Sequence, residues 1–176
     1  MAGDTRDRIL AAVRALLARG GPDAVTLDAA ASEAGVSKGG LLYHFPTKAS
    51  LFVGVLSQMR DRVVADMAAR TADGDPVTAF LEYGLPVDDE DAFAVALIAA
   101  VHNGQAADPE IRALLLDGFR AWEAPMLDAV ADPVRAEIIR LVGNGIYLSA
   151  ISGLPLPDRA LLTRVIDRLA GAEAQQ

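Results

Sequence analysis

The chain has 176 residues, no cysteine, 52% hydrophobic side chains and a formal net charge of −8. That length suits one compact domain or a small domain joined to a larger one, and the missing cysteines exclude disulfides, thiolate metal sites and thiol nucleophiles. The acidic total hides a split: residues 1–60 hold seven basic and five acidic side chains, and residues 61–176 hold nine and nineteen. Phosphate binding depends on the local face more than on the total, so the second part is excluded as a nucleic-acid surface and the first is not.

No apolar run approaches the roughly 20 residues of a membrane span. The start, MAGDTRDR, lacks the apolar core of a signal peptide, so a soluble cytoplasmic protein with no membrane partner is expected. Aromatic residues are scarce and nearly every segment shows helical spacing, which predicts an all-α fold. A first helix is expected from about Thr5 to Arg19, with Ile9, Ala12, Val13, Leu16 and Leu17 on one stripe and Gly20-Gly21 as its stop. Thr26 is a good N-cap for a helix over 27–34, Gly35 suits a turn with positive φ, and Ser37 caps a helix over 38–44. Pro46 ends that helix, and Thr47 caps a long one reaching about Arg70. Further helices are expected near 76–86, 89–103, 109–130, 133–152 and 157–171, several of them starting at Asp-Pro or Pro-Asp pairs where proline fits the first turn.

The stretch Thr26–Leu51 holds both lysines of the chain, Lys38 and Lys48. It has the parts of a helix-turn-helix: an apolar helix pair, a small-residue turn, and a second helix whose outer face can enter a major groove. Leu27, Ala30, Ala31, Ala34 and Val36 supply an inner face, closed by Leu41 and Phe45, while Lys38, Gly39, Gly40, Leu42, Tyr43 and His44 remain outward. Thr26, Ser37 and Lys48 fall at helix starts, where backbone N–H groups and the helix dipole favour phosphate.

The pattern T-x(8)-G-V-S-K-G-x-L-x-Y-H-F-x-x-K from Thr26 to Lys48 resembles the N-terminal domain of the tetracycline-repressor (TetR) family. The resemblance covers residues 5–55 closely and the remainder only in length and helical character. It implies a three-helix DNA-binding domain over 1–47 and a C-terminal helical bundle over 48–176 for effector binding and dimerisation, linked by the helix 48–70. It also implies that Thr26, Lys38, Tyr43, His44 and Lys48 contact the phosphate backbone or nearby bases, and that Gly39 and Gly40 let the helix approach closely. Two positions depart from the family pattern. Leu42 stands where tyrosine is frequent, and Ala30 stands where a larger aliphatic is frequent. With two glycines beside them, specificity is expected to rest on Lys38, on methyl contacts from Leu42 and on DNA shape.

A single recognition helix sees few base pairs, so a homodimer on a palindromic operator with half-sites about 34–36 Å apart is expected. Two C-terminal stripes are candidates for its interface: Ile138, Leu141, Val142, Gly145, Leu148, Ser149 and Ser152, then Leu161, Leu162, Val165, Ile166 and Leu169. Either could equally be intramolecular core. An effector region is expected around Phe80, Tyr83, Phe93, His102, Phe119, Trp122, Met126 and Tyr147, where the alternative is again ordinary core. An enzyme is not expected, because the chain has no His-x-x-x-His or Glu-x-x-His spacing, no phosphate-cradling glycine loop and no G-x-S-x-G elbow. No cofactor or metal is expected either. The reading is a ligand-responsive repressor released by an unidentified small apolar effector; the alternative is a constitutive DNA-binding regulator with no effector.

Overall fold

The computed structural model describes residues 2–85 and 109–171, with side-chain surroundings from Asp4 onward. The helix expected at 89–103, with Phe93 and His102, lies outside the described residues. Among the described residues every regular element is a helix: α1 (Ala2–Ala24), α2 (Leu27–Glu33), α3 (Lys38–His44), α4 (Lys48–Ala72), α5 (Pro76–Tyr83), α6 (Pro109–Ala129), α7 (Pro133–Ile151) and α8 (Arg159–Ala170). None of them is long and apolar enough to cross a membrane.

Local chemistry sets the helix ends. Gly20 (φ −147°) and Gly21 (φ +64°) break α1 where the sequence places its stop, although a last turn continues past them to Ala24. At the start of α4, the Thr47 hydroxyl accepts from the Ser50 amide at 3.0 Å and the Ser50 hydroxyl accepts from the Thr47 amide at 3.1 Å. This reciprocal pair satisfies two amides that the first turn leaves open. Asp75 and Asp132 cap α5 and α7, each with proline in the first turn. The Pro157-Asp158 pair works differently from the expectation. Proline stays outside the helix, and Asp158 is the N-cap of a helix starting at Arg159.

The chain divides into two compact units, the first running to Arg60 and including α6 up to Asp117, the second taking the rest. The core of the first unit joins Ile9, Leu10, Val13 and Leu17 of α1 to Ala30 and Ala31 of α2, Leu41 of α3, and Leu51, Phe52 and Val55 of α4. Leu16, expected on the buried stripe, only packs partly against this core, and Leu10 lies fully inside it. In the second unit Met67, Phe80, Leu81, Trp122, Met126, Ile139, Ile146, Leu162 and Ile166 are buried together. There α7 passes so close to α5 that a Cβ at Gly143 would run into the Phe80 ring, so only glycine permits the approach.

Candidate nucleic-acid interface

Helix α2 begins at Thr26, whose hydroxyl accepts from the Ala29 amide at 3.0 Å. It ends in a turn with Gly35 at φ +63°, where Gly35 N–H donates to the Ser32 carbonyl at 3.1 Å and Val36 N–H to the Ala31 carbonyl at 3.0 Å. These two bonds form a Schellman motif, for which glycine is the natural residue because a Cβ opposes positive φ. Two residues later Ser37 caps α3, accepting from the Gly40 amide at 3.1 Å. Helix α3 is held underneath by Leu41 and Phe45, both buried. This spacing turns the residues between them outward.

On that outer face Tyr43 is 85% exposed and Leu42 38%. Lys38 and Gly39 are exposed, and Gly40 and His44 are half-buried. The His44 ring stands edge-on to Tyr43, with 5.1 Å between centroids. A Cβ at Gly39 would meet open space, whereas one at Gly40 would lie 3.2 Å from the Ser37 hydroxyl. The hydroxyls of Thr26 and Ser37 accept from backbone amides, which leaves each its own proton to donate outward.

The two lysines differ in their surroundings. Lys38 pairs with Asp28, Nζ to Oδ1 2.8 Å, with both side chains well exposed. Lys48 is half-buried, donates to the Pro22 carbonyl at 2.8 Å and lies 5.8 Å from the centre of the Phe52 ring. Its ammonium therefore ties the start of α4 to the last turn of α1. Arg19 and Glu33 pair at 2.8 Å, and the hydrogen bond holds the Glu33 carboxyl below its ordinary range and the Arg19 guanidinium above its own. Arg8 of α1 donates to the Ala34 carbonyl at 2.7 Å and to the Gly35 carbonyl at 3.2 Å. Sequence reasoning singled out neither Asp28 nor Arg8. The partner of Asp28 lies 10 residues away and those of Arg8 lie 26 and 27 away, with no periodic signal between them.

In the second unit Phe80, Tyr83, Phe119, Trp122, Met126 and Tyr147, the described members of the expected group, pack together. Trp122 is the hub, with ring centroids at 4.6 Å from Phe80, 5.5 Å from Tyr147, 6.2 Å from Phe119 and 6.3 Å from Tyr83. Its indole N–H donates to the Phe80 carbonyl at 3.0 Å. Phe80 and Met126 are fully buried. Beside this group Asn144 donates to Glu123 at 3.0 Å, and Arg140 stands 3.6 Å from the same carboxylate. Among the described residues no donor reaches Asn144 Oδ1. Burial, first of all, raises the Tyr83 hydroxyl to about 12, helped by the Asp66 carboxylate beside it.

The two C-terminal stripes separate by burial. Val134, Ile138, Leu141, Gly145 and Leu148 form an exposed line along α7, with Leu141 58% exposed, and Leu161 is exposed on α8. Val142, Ser149, Val165 and Leu169 are half-buried. Leu162 and Ile166 belong instead to the core of their own unit, so they are not available as an outer face.

Residues 9–55 match the family model of bacterial regulatory proteins of the tetR family, and residues 74–173 match that of the tetracyclin repressor-like C-terminal domain. The HTH-type transcriptional regulator RutR of Escherichia coli K12 is 44% identical over 57 residues, 32% of this chain and 27% of its own. The chain thus aligns with about a quarter of the length of that curated relative. Among solved structures, a transcriptional regulator from Rhodococcus sp. Rha1 has a TM-score of 0.72 at 23% identity, covering 97% of this chain and 96% of its own. A TetR-family member from Streptomyces coelicolor A3 has a TM-score of 0.73 at 24% identity, covering 94% and 97%. The multidrug binding protein EbrR, solved with malachite green, has a TM-score of 0.73 at 24% identity, covering 93% and 96%. At these identities the three structures share the fold. The family models together span most of the sequence, and the chain belongs to the TetR family of DNA-binding transcriptional regulators.

Proposed function

We propose that the chain is a ligand-responsive repressor that binds a palindromic operator as a homodimer, reading DNA with the outer face of α3. The observation that carries this reading is the face itself. A capped helix, anchored by Leu41 and Phe45, turns Lys38, Gly39, Leu42 and Tyr43 away from the core. Lys38, Tyr43, His44, Thr26, Ser37 and Lys48 are assigned to the phosphate backbone or nearby bases. Gly39 and Gly40 provide close approach, and Leu42 provides apolar contact with thymine methyls.

The exposed line Val134, Ile138, Leu141, Gly145 and Leu148 supports dimerisation through α7, with Leu161 of α8 beside it. Its spacing of four and three residues is that of a helix-packing seam, and an apolar stripe of this kind is costly to leave in water. The effector site is assigned to the aromatic group around Trp122, with Phe80, Tyr83, Phe119, Met126 and Tyr147. The fold is shared with EbrR, a multidrug binding protein solved with malachite green, which supports the reading that an effector exists. Effector and operator must weaken each other by the same factor if one releases the other.

A second reading, constitutive DNA binding, is favoured by one observation. Phe80, Trp122 and Met126 are packed closed, and Gly143 lies hard against the Phe80 ring. Duplexes selected from random DNA by the full-length protein, titrated with and without malachite green as a cationic aromatic probe, separate the two. Weaker operator binding with the dye supports the ligand-responsive reading. Unchanged affinity across a panel of such aromatic probes supports the constitutive one.

A further inference from the structure

The last carbonyls of a helix have no partners within it, and a Schellman motif satisfies only some of them. In α2 the motif uses the carbonyls of Ala31 and Ser32, and the Ala34 amide uses that of Ala30. The carbonyls of Ala34 and Gly35, at the turn leading to α3, are taken by one guanidinium from another helix, that of Arg8. Arg8 Nη2 also lies 3.6 Å from where a Cβ on Gly35 would stand, so the side chain closes over the turn. A cation at the end of a helix also complements the partial negative charge of its carbonyls.

We propose that Arg8 is a positioning residue for DNA reading: it bridges α1 to the α2–α3 turn and so sets the direction in which α3 leaves it. The proposal rests on the reading of α3 as the DNA-facing helix. The internal resources of α3 make the bridge matter. The helix has seven residues, two of them Gly39 and Gly40, and Leu41 is its one buried side chain, with Phe45 at the C-cap. Glycine lowers the intrinsic stability of a helix, so a short helix with two of them depends on how its first turn is held. Both bonds come from Nη2, whose two N–H groups are held in the plane of the rigid guanidinium, whereas a lysine ammonium on its flexible stem has no such fixed pair of directions. On this account Arg8 acts through the turn and does not touch phosphate.

The test titrates the full-length protein, Arg8→Ala and Arg8→Lys against the duplex selected from random DNA and a scrambled duplex, at several salt concentrations. Circular dichroism checks the fold of each variant, and hydrogen exchange follows the Val36 amide without DNA. For Arg8→Ala the proposal expects operator affinity to fall roughly tenfold, the size of a lost charge-assisted pair. The scrambled duplex should lose little, the slope of log affinity against log salt should be unchanged, and Val36 should exchange faster. Arg8→Lys, which keeps the charge, should recover only part of the discrimination. That variant also carries the test if Arg8→Ala does not fold. A slope smaller by about 1 with equal loss on both duplexes would make Arg8 a phosphate contact and overturn the proposal. Full recovery by lysine, or unchanged operator affinity and Val36 exchange, overturns it as well. If the wild-type protein selects no duplex, the reading of α3 fails, and unchanged Val36 exchange in the variants would show separately that Arg8 does not hold the turn.

Discussion

Lys38 Nζ and Asp28 Oδ1 are ion-paired at 2.8 Å, so the one lysine at the head of α3 is already neutralised in the free protein. A phosphate has to compete with that carboxylate. Exposed pairs of this kind contribute about 0.2–1 kcal/mol, so the competition is mild. Asp28→Asn is expected to tighten binding to operator and unrelated duplexes alike by about two- to fivefold. Fluorescence anisotropy at fixed salt measures this, and weaker binding in the variant would mean that Asp28 orients Lys38 for DNA instead of competing for it.

Lys48 serves two ends at once. Its bond to the Pro22 carbonyl links the start of α4 to the segment before α2, and its remaining N–H donors are assigned to phosphate. Lys48→Ala is therefore expected to lower the slope of log affinity against log salt by about 1. It should also lower the melting temperature by a few degrees, because the Pro22 carbonyl loses its donor. A lower melting temperature with an unchanged salt slope would restrict Lys48 to the structural task.

Gly39 offers a clean separation of folding from reading, since a Cβ there meets open space. Gly39→Ala is expected to stabilise the protein by up to about 1 kcal/mol through helix propensity. The same methyl would stand on the face assigned to DNA and should weaken operator binding. Thermal melts and anisotropy on one preparation measure both effects. A more stable variant with undiminished operator affinity would move the contact face elsewhere.

Leu141 and Leu162 lie on opposite sides of the same question. Leu141→Glu is expected to leave the melting behaviour of the isolated chain nearly unchanged, because the side chain is 58% exposed. It should shift the protein from dimer to monomer in sedimentation velocity, and operator affinity should fall with it. Leu162→Ala, at a site that is only 8% exposed, should instead destabilise by about 2–5 kcal/mol. An unchanged sedimentation coefficient for Leu141→Glu would exclude this line of α7 as the interface.

Tyr83 gives a pH signature. Its hydroxyl ionises near 12 in the folded chain against an ordinary value of 10.0. A group with a raised folded value contributes stability that is complete below 10.0 and is lost as pH rises towards about 12. Stability should therefore fall across that window, and Tyr83→Phe should flatten the fall. Denaturant melts through the alkaline range measure it, and equal slopes in both proteins would mean that the phenol ionises as freely folded as unfolded.

The sequence made some layers legible and hid others for a physical reason. Caps are local, so Thr26, Ser37, Thr47, Asp75 and Asp132 could be placed from their neighbours alone, and the bounds of α3 agree to the residue. The bonds from Arg8 to the α2–α3 turn and from Lys48 to Pro22 span 26 or 27 residues, and nothing periodic marks them. Helix α7 shows the second limit. Ala136, Ile139, Gly143 and Ile146 face the core, while Ile138, Leu141, Gly145 and Leu148 face out, and both lines are apolar at helical spacing. Composition cannot rank two such faces, and for the same reason the sequence left Leu162 and Ile166 open between dimer surface and core, whereas the structure buries them in their own unit.

A map of backbone amide shifts, recorded as the full-length protein binds its selected duplex, tests whether α3 is the helix that meets DNA. The largest changes are expected from Ser37 to His44, smaller ones around Thr26 and Lys48, and none along α8. Changes concentrated outside α3, with Ser37 to His44 unmoved, would contradict that reading of α3.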